Sequence, residues 1–331
     1  MKAMVLNRFG GPEVFELAEV PVPEVRPGYV LAKVHASSFN PLEVKIRSGL
    51  ASRNAPPMPA ILGTDFSGEI VKVGEGVTRW KEGDEVFGCA GGVGILQGAF
   101  AEYVLADERL IARKPQNIDH ETAALYPLVT VTAWEAIMEN PYIRKGDKVL
   151  VHGASGGVGH IVAQLAKILG AEVHGTVTSK EKGETAKAFG TEHVIVVPEE
   201  PVEIYTAQYT YGKGFDAVID TVGGPNLANS FEAAKLWGTV CTTNARVTLD
   251  LSLMHQKALT LRVVFMALPM IRDLERERQG RILEEAAKLI EEGKLKISRD
   301  SRQFSFEELG KAHIYYESHS ATGKISLVNR F

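Results

Sequence analysis

Short apolar runs separated by turns fill the first part of the chain. They predict strands over residues 3–6, 30–36, 68–73, 85–88 and 102–106. The turns between them are rich in proline and glycine, as at Pro27-Gly28 and around Gly74 and Gly83. Short strands at this spacing favour a partly open antiparallel barrel.

The hydrophobic pattern changes near residue 121. Helical patterns then alternate with short apolar strands, which predicts an α/β fold with a doubly wound parallel sheet. The final residues, from 301, return to strand-helix-strand and are expected to rejoin the first domain. We therefore predict one domain from residues 1–120 and 296–331 and another from residues 121–295. The predicted helices cover 121–136, 158–169, 182–189, 226–236 and 280–292, and the strands cover 148–151, 172–177, 193–197, 217–220, 238–242 and 259–266.

A glycine-rich turn follows the strand at 148–151 and precedes the helix at 158–169. Gly156 lets the backbone approach a pyrophosphate, Gly159 lets helix pack on strand, and Ala154 stands where the pattern usually has its first glycine. The free N–H groups of a helix N-terminus suit an anion. The segment predicts dinucleotide binding, and the alternative is a glycine turn without a ligand. The predicted contacts are Ser155, Gly156, Gly157 and Val158.

The end of the second strand indicates which nucleotide is bound. An NAD site usually has Asp or Glu about 20 residues after the first glycine. This chain instead has Thr178, Ser179 and Lys180, and no acid before Glu181. Hydroxyl donors and cations suit a 2′-phosphate, so we predict NADPH. The alternative is a solvated lysine pair, Lys180 and Lys182, at a helix start.

Composition excludes several classes of function. The 331 residues include 37 Lys and Arg against 41 Asp and Glu, and this net charge of −4 gives no general attraction to nucleic acid or to a membrane. Cys89 and Cys241 form no C-x-x-C motif, which fits a reducing cytosol. The sequence has no apolar signal core and no 18-residue apolar run, so we expect a cytoplasmic protein. The nine histidines form no close pair in the sequence that suggests a metal.

Several motifs in order resemble the medium-chain dehydrogenase/reductase superfamily, whose first domain is a GroES-like β-barrel. They are GTDFSGEIVKVGEGV at 63–77, WKEGDEVFG at 80–88, GAFAEY at 98–103 and GKI at 323–325, together with the glycine turn. Within the superfamily the chain resembles the zinc-independent quinone oxidoreductase branch, the relatives of zeta-crystallin. Asn40 stands where the zinc enzymes have a ligand cysteine, and Thr64 replaces the histidine of their Gly-His-Glu motif. The resemblance therefore implies no metal, and we expect less than one zinc per chain in the purified protein.

The missing zinc ligands have a chemical consequence. Zinc makes removal of a proton from an alcohol feasible at neutral pH, whereas a quinone or an activated C=C bond can accept hydride directly. The resemblance thus implies NADPH-dependent reduction of quinones or α,β-unsaturated carbonyl compounds. One alternative is an enoyl or haloacrylate-type reductase of a specific metabolite. Another is a catalytically weak, crystallin-like nucleotide-binding protein.

The resemblance also implies roles for individual residues near the nicotinamide. Asn40 is the first catalytic candidate, because its amide could orient the cofactor or donate to an oxyanion; the alternative is an Asx turn. Lys45 is the second, able to stabilise an enolate, or else it is an exposed lysine beside Glu43. Thr132 matches a threonine that binds near the nicotinamide, and helix capping is its alternative.

Further cofactor contacts are expected at the ends of later strands. Val222 and Gly223 would form a wall against the nicotinamide, with a plain turn as the alternative, and Asn244 follows the next strand where relatives commonly have glycine. Phe265 belongs to the cofactor set or, with Met266, to the core or a subunit interface, and Lys324 of the last motif completes the set. Val197 stands where relatives often have a tyrosine over the ribose phosphate, so only a moderate preference for NADPH is expected.

The apolar run at 259–266 lies at the predicted edge of the parallel sheet. Exposed apolar edges tend to pair, and members of the resembled family pair this edge across a two-fold axis. We therefore expect a homodimer.

Overall fold

The computed structural model describes residues 1–140, 142–197 and 199–331. The described chain forms two compact units, one of Met1–Val131 with Ala267–Phe331 and the other of Thr132–Met266. No described helix is both long and apolar enough to span a bilayer.

Strands and helices are numbered here in chain order. The strands are β1 (Lys2–Leu6), β2 (Phe15–Glu19), β3 (Tyr29–Ser38), β4 (Ala60–Ile61), β5 (Asp65–Val73), β6 (Glu85–Cys89), β7 (Tyr103–Asp107), β8 (Ile111–Arg113), β9 (Lys148–His152), β10 (Glu172–Val177), β11 (His193–Val196), β12 (Phe215–Asp220), β13 (Ala234–Thr242), β14 (Thr260–Val263), β15 (Arg299–Ser305) and β16 (Lys324–Val328). The helices are α1 (Pro41–Arg47), α2 (His120–Ala123), α3 (Pro127–Ile137), α4 (Gly159–Ile168), α5 (Lys180–Ala188), α6 (Val202–Thr210), α7 (Leu227–Ala233), α8 (Ser252–Gln256), α9 (Leu268–Arg272), α10 (Arg276–Glu291) and α11 (Leu309–Glu317).

The second unit is a parallel sheet in the order β11-β10-β9-β12-β13-β14. This is the doubly wound order, in which the direction of adding strands to the sheet reverses between its third and fourth strands, β11 and β12. The middle residues of its central strands, 149–151 and 217–219, are apolar because helices cover both faces of such a sheet. Around Phe215 and Phe231, the buried core also takes in Leu150, Val218 and Val240. The predicted α/β doubly wound sheet is confirmed.

The first unit is built mainly from antiparallel strands. One sheet has the order β15-β16-β3-β5-β6-β8, with β7 paired to β3, and a smaller sheet has the order β2-β1-β4. Of the pairs in the larger sheet, β15 and β16 run parallel. The last strands of the chain thus rejoin strands formed from the first hundred residues.

Three of the predicted elements are wrong in detail. The helix expected at 121–136 is interrupted, because Pro127 cannot donate to the preceding turn and starts a new helix. The helix expected at 226–236 ends at Ala233, and Ala234 already pairs with Phe215 in the sheet. The edge strand expected at 259–266 is only Thr260–Val263. The sequence analysis also missed α6.

Helix α10 belongs to the first unit, so this division differs from the predicted boundary at 295/296. A Cβ at Gly280 would lie 2.4 Å from the carbonyl oxygen of Arg109, so only glycine allows this close packing. Arg276 donates to Asp107 over 2.8 Å, and both side chains are 1% exposed. The assignment of residues 121–295 to nucleotide binding remains a prediction.

Candidate functional site

The turn between β9 and α4 begins one residue earlier than the sequence pattern suggests. Gly153 has φ +75°, and a Cβ there would lie 2.9 Å from Thr221 Oγ1, so it performs the task of the first glycine. Ala154 is fully buried and fits because Gly175 opposes it: a Cβ at Gly175 would lie 2.5 Å from the Cβ of Ala154.

The two following glycines have different environments. A Cβ at Gly159 would lie 2.1 Å from the carbonyl oxygen of Gly153, which confirms the predicted close packing of helix on strand. A Cβ at Gly156 would meet only that same oxygen, at 3.2 Å, so the backbone here faces open space. The N–H groups of Ser155, Gly157 and Val158 have no acceptor within the described chain. The turn therefore offers donors and room for an anion.

A buried histidine, His152, supports this turn, although no role was predicted for it. Thr176 Oγ1 accepts from Gly153 N over 3.2 Å and lies 3.1 Å from His152 Nδ1. Burial lowers the pKa of His152 to about 4, so the ring is neutral at physiological pH. Its Nδ1 can then accept the Thr176 hydroxyl proton, which fixes the oxygen lone pairs toward Gly153. The signal was available in the sequence, because both side chains stand at the ends of neighbouring predicted strands.

The residues predicted to read the 2′-phosphate follow β10. Ser179 precedes α5, and its hydroxyl accepts from Lys182 N over 3.3 Å as a helix cap. Lys180 is 81% exposed and lies 3.7 Å from Glu199 Oε1. Thr178 is exposed as well. Glu199 is a feature that the sequence analysis missed: an acid already pairs with the cation proposed for the phosphate.

The segment after β12 is held by Asp220. Its Oδ1 accepts from Val222 N (3.0 Å) and Gly223 N (2.8 Å). Gly223 has φ +66°, and a Cβ there would lie 2.3 Å from the carbonyl oxygen of Asn244. Asn244 itself does not have a positive φ, so its backbone does not require the glycine that relatives commonly have there. Its Nδ2 donates to Val222 O over 3.4 Å, so it ties two strand ends together.

The remaining predicted residues of the second unit lie apart from this turn in the sequence. Thr132 lies on α3 and is buried, with 5% exposure. Phe265 follows β14 rather than lying in it, and 44% of it is exposed, whereas Met266 is buried.

A buried polar network surrounds Asn40 in the first unit. Asn40 Nδ2 donates to Asp65 Oδ2 (2.8 Å) and to Thr64 Oγ1 (3.2 Å), while its Oδ1 accepts from Lys324 Nζ (2.5 Å). Its backbone N–H donates to Glu43 Oε2 over 2.8 Å. Exposure of these five side chains ranges from 0% to 4%. Every hydrogen-bonding atom of the Asn40 amide group therefore has a partner inside the network.

This geometry corrects one predicted role. The Asn40 amide has no N–H left to donate to an oxyanion, so direct donation does not fit. Lys324 is buried and donates to Phe39 O (2.8 Å) and to Asn40, and its place among the cofactor contacts stays a prediction. Lys45, two residues beyond Glu43 on α1, is half-buried. Asp65 lies within the motif at 63–77 and Glu43 was named only as a neighbour of Lys45, so neither was expected to hold Asn40.

Charge in the network is balanced by unusual protonation. Burial raises the pKa of Glu43 to about 7, although hydrogen bonds from Asn40 and the charge of Lys324 oppose this shift. Burial also lowers the pKa of Lys324, while the carboxylates of Asp65 and Glu43 favour its charged form. The Lys324 Nζ lies 3.7 Å from Asp65 Oδ2, so these two groups form the opposite-charge pair of the network.

The residues near Asn40 do not fit a catalytic zinc. Such a site needs three Cys, His or carboxylate ligands. Asp65 is engaged by Ser38 Oγ (2.6 Å) and Leu128 N (2.7 Å) as well as by Asn40. The His35 ring packs on that of His120, with centroids 4.4 Å apart. Over the described residues, Asp65, His35 and Cys89 do not converge into a group of ligand atoms.

Comparisons with known proteins agree with this architecture. Residues 26–116 match the family model of the alcohol dehydrogenase GroES-like domain, and residues 189–327 match that of the zinc-binding dehydrogenases. Human quinone oxidoreductase is 33% identical over 253 residues, which is 76% of this chain and 75% of that protein. The chloroplastic NADPH-dependent alkenal/one oxidoreductase of Arabidopsis thaliana is 32% identical over 332 residues, 98% of this chain and 78% of that protein.

Solved structures of related proteins also superpose on this chain over nearly its whole length. An alcohol dehydrogenase superfamily protein from Novosphingobium aromaticivorans superposes with a TM-score of 0.93 at 37% identity, covering 99% of each chain. Escherichia coli quinone oxidoreductase, solved with NADPH, has a TM-score of 0.88 at 28% identity over 99% of this chain and 100% of that one. The fold and these relatives define an oxidoreductase with a GroES-like and a Rossmann domain. The chain belongs to the quinone oxidoreductase family of the medium-chain dehydrogenase/reductase superfamily.

Proposed function

We propose that this protein is an NADPH-dependent reductase of quinones or α,β-unsaturated carbonyl compounds that works without zinc. The observation that carries the proposal is the turn after β9, where Gly153, Gly156 and Gly159 each hold a position that a side chain would disturb or fill. The family supports the reaction class, because relatives similar over most of this chain are quinone and alkenal/one oxidoreductases.

The described residues fit a nicotinamide dinucleotide. The N–H groups of Ser155, Gly157 and Val158 would hold the pyrophosphate at the N-terminus of α4. Val222 is 53% exposed and offers an apolar surface for the nicotinamide ring. Gly223, which follows it, has no side chain to keep the ring away from the backbone. When bound, the cofactor supplies a hydride. Thr132, Asn244 and Phe265 stay proposed contacts of the nicotinamide end.

The chain's own contribution to the chemistry is positioning. Asn40, held by Asp65 and Lys324, keeps the start of α1 fixed, and Lys45 follows on the same helix. We propose that the Lys45 ammonium stabilises the enolate or hydroquinone oxygen that forms when the substrate accepts hydride. The proton that completes the reduction comes from water.

Zinc independence is supported by the contacts of the network. A Lys324 ammonium lies 2.5 Å from Asn40 Oδ1 and 3.7 Å from Asp65 Oδ2, where a second cation would be repelled. Activity that survives chelation with undiminished rate is the expected result. One zinc per chain bound at this network, with turnover lost to chelators, would contradict the proposal.

A substrate screen tests the reaction. NADPH oxidation is followed with naphthoquinones, 2-alkenals and enoyl thioesters, in wild type and in Gly156→Val. Turnover with the first two classes is expected in wild type, and the variant should fold normally but lose NADPH affinity, because its side chain enters the open space above the turn. Turnover of a thioester alone would favour the enoyl reductase, and binding without any turnover would favour the crystallin-like alternative.

We also propose a homodimer formed through the edge of the parallel sheet. β14 is the last strand on its side, and Val263 and Phe265 are 52% and 44% exposed there. Light scattering at micromolar concentration should give twice the chain mass. A monomeric mass would contradict the proposal and leave the proposed reaction unaffected.

A further inference from the structure

Two histidines that lie 19 positions apart in the sequence stand side by side in the second unit. β10 and β11 run parallel with His174 opposite His193, and the two rings stack with centroids 4.5 Å apart at 20°. This pair was not predicted from the sequence, in which the two histidines are far apart. The pair lies at the amino-terminal edge of the sheet, where β10 begins with Glu172 and β11 with His193.

Both imidazoles point one nitrogen at the same carboxylate oxygen. His174 Nε2 lies 2.9 Å from Glu172 Oε1, and His193 Nε2 lies 3.4 Å from that atom. One ligand atom from each residue lies within 4.8 Å of the others, and no other group of three His, Cys, Asp or Glu in the described chain does so. Two imidazoles and a carboxylate are a donor set that suits Zn²⁺ and Ni²⁺.

We propose that Glu172, His174 and His193 form a binding site for a divalent transition metal such as Zn²⁺. Tetrahedral zinc with bonds of about 2.0–2.1 Å places neighbouring ligand atoms about 3.3 Å apart. The two N···O separations of 2.9 and 3.4 Å are close to that value. The two rings are stacked, so binding also requires the His193 ring to rotate out of the stack until its Nε2 lone pair faces the metal. His193 is 43% exposed, which lets water complete the coordination.

A neighbouring cation competes for the carboxylate of this site: Lys148 Nζ lies 3.2 Å from Glu172 Oε1. It also donates to Tyr209 O over 2.7 Å and is 30% exposed, so it can move away while keeping that second contact.

A missing hydrogen bond limits the affinity of this site for a metal. A metal on Nε2 requires the His174 proton on Nδ1, and this buried atom has no acceptor in the described chain. Metal-binding histidines usually donate this second N–H to a partner. We therefore expect a dissociation constant in the micromolar range.

The site lies at the opposite edge of the sheet from the glycine turn, which follows the carboxyl end of β9. A metal there would join the starts of β10 and β11 without touching the cofactor segment. Its expected effect is on thermal stability, and NADPH turnover should stay the same.

Titration calorimetry tests the proposal on the full chain, with any affinity tag removed and the protein stripped with a chelator. ZnCl₂ should bind one ion per chain and raise the melting temperature. His193→Asn should weaken binding at least tenfold, and its exposure makes normal folding expected. The matched control is His255→Asn, an exposed histidine on α8, which should bind like wild type.

A third variant separates a metal site from non-specific binding to histidine. Lys148→Met removes the competing ammonium and should tighten zinc binding several-fold, opposite in sign to His193→Asn. Absence of one-to-one binding in wild type, or equal affinity in wild type and His193→Asn, would overturn the proposal. Neither outcome would affect the proposed reduction of quinones, which is measured without added metal.

Discussion

Replacing Lys180 by alanine removes the cation that follows Ser179 at the end of β10. If this lysine contacts the 2′-phosphate, the change weakens NADPH and spares NADH, which has no phosphate there. A well-formed hydrogen bond between charged groups contributes about 1.5–3 kcal/mol. The structure argues for a smaller value, because Lys180 is 81% exposed and already lies 3.7 Å from Glu199.

Exposed ion pairs contribute about 0.2–1 kcal/mol. Taking about 1 kcal/mol for a phosphate, the expected change in KM for NADPH is about fivefold, since 1.4 kcal/mol is a factor of ten. Glu199→Gln should act in the other direction, because it removes an acid that competes for Lys180 and repels the phosphate.

Steady-state kinetics with one quinone at saturation give KM for both cofactors in each variant. Lys187→Ala is the matched control. This lysine is exposed on the same helix and lies 3.0 Å from Glu184 Oε1, but it is in the last turn of α5, away from Ser179 at the start of the helix. The reasoning is refuted if Lys180→Ala raises KM for NADPH and NADH alike, or if wild type shows no preference between them.

Four further substitutions test the described contacts by urea unfolding. Gly159→Ala should lower the free energy of unfolding by about 3 kcal/mol, since its Cβ would lie 2.1 Å from Gly153 O. Gly156→Ala should lower it far less, because its Cβ would meet only one atom, at 3.2 Å. Equal losses in the two variants would contradict the packing argument. Lys324→Met should cost about 3–5 kcal/mol by leaving a buried carboxylate unpaired, and a loss below about 1 kcal/mol would count against the network. Burial lowers the pKa of His313 to about 3 and neither ring nitrogen has a partner in the described chain, so the unfolded state alone takes up its proton as pH falls below about 6.5. Between pH 7 and 5 this histidine should therefore cost about 2 kcal/mol of stability, a loss that His313→Leu should remove.

The periodicity of the chain was enough to predict the parallel sheet and the turn. Strand β10 was placed at its observed bounds because its valines and threonine favour a strand and Ser179 and Lys180 end the run. Helix α7 was drawn too long, because Ala234, Lys235 and Leu236 are good helix formers and only the pairing of Ala234 with Phe215 of β12 starts a strand there. Propensity is local, whereas this pairing is tertiary.

The site was harder to predict than the fold. Lys324 and Asn40 were both selected from motifs, yet the sequence could not show that they bind each other across 284 positions. The His174–His193 pair depends on the register of two parallel strands, which hydrophobicity does not specify to one residue. Glu199 could not be assigned to Lys180 for the same reason.

The ammonium of Lys324 also dictates an order of events during synthesis. Asn40 and Asp65 leave the ribosome early, but Lys324 emerges 284 residues after Asn40, beyond the whole of Thr132–Met266. The continuous second unit can complete its sheet from contacts within its own segment, whereas the first unit cannot close until β16 arrives. Nascent chains halted before residue 324 should thus contain a folded parallel sheet and an incomplete barrel, in which the Asp65 and Glu43 carboxyl groups lack the Lys324 ammonium.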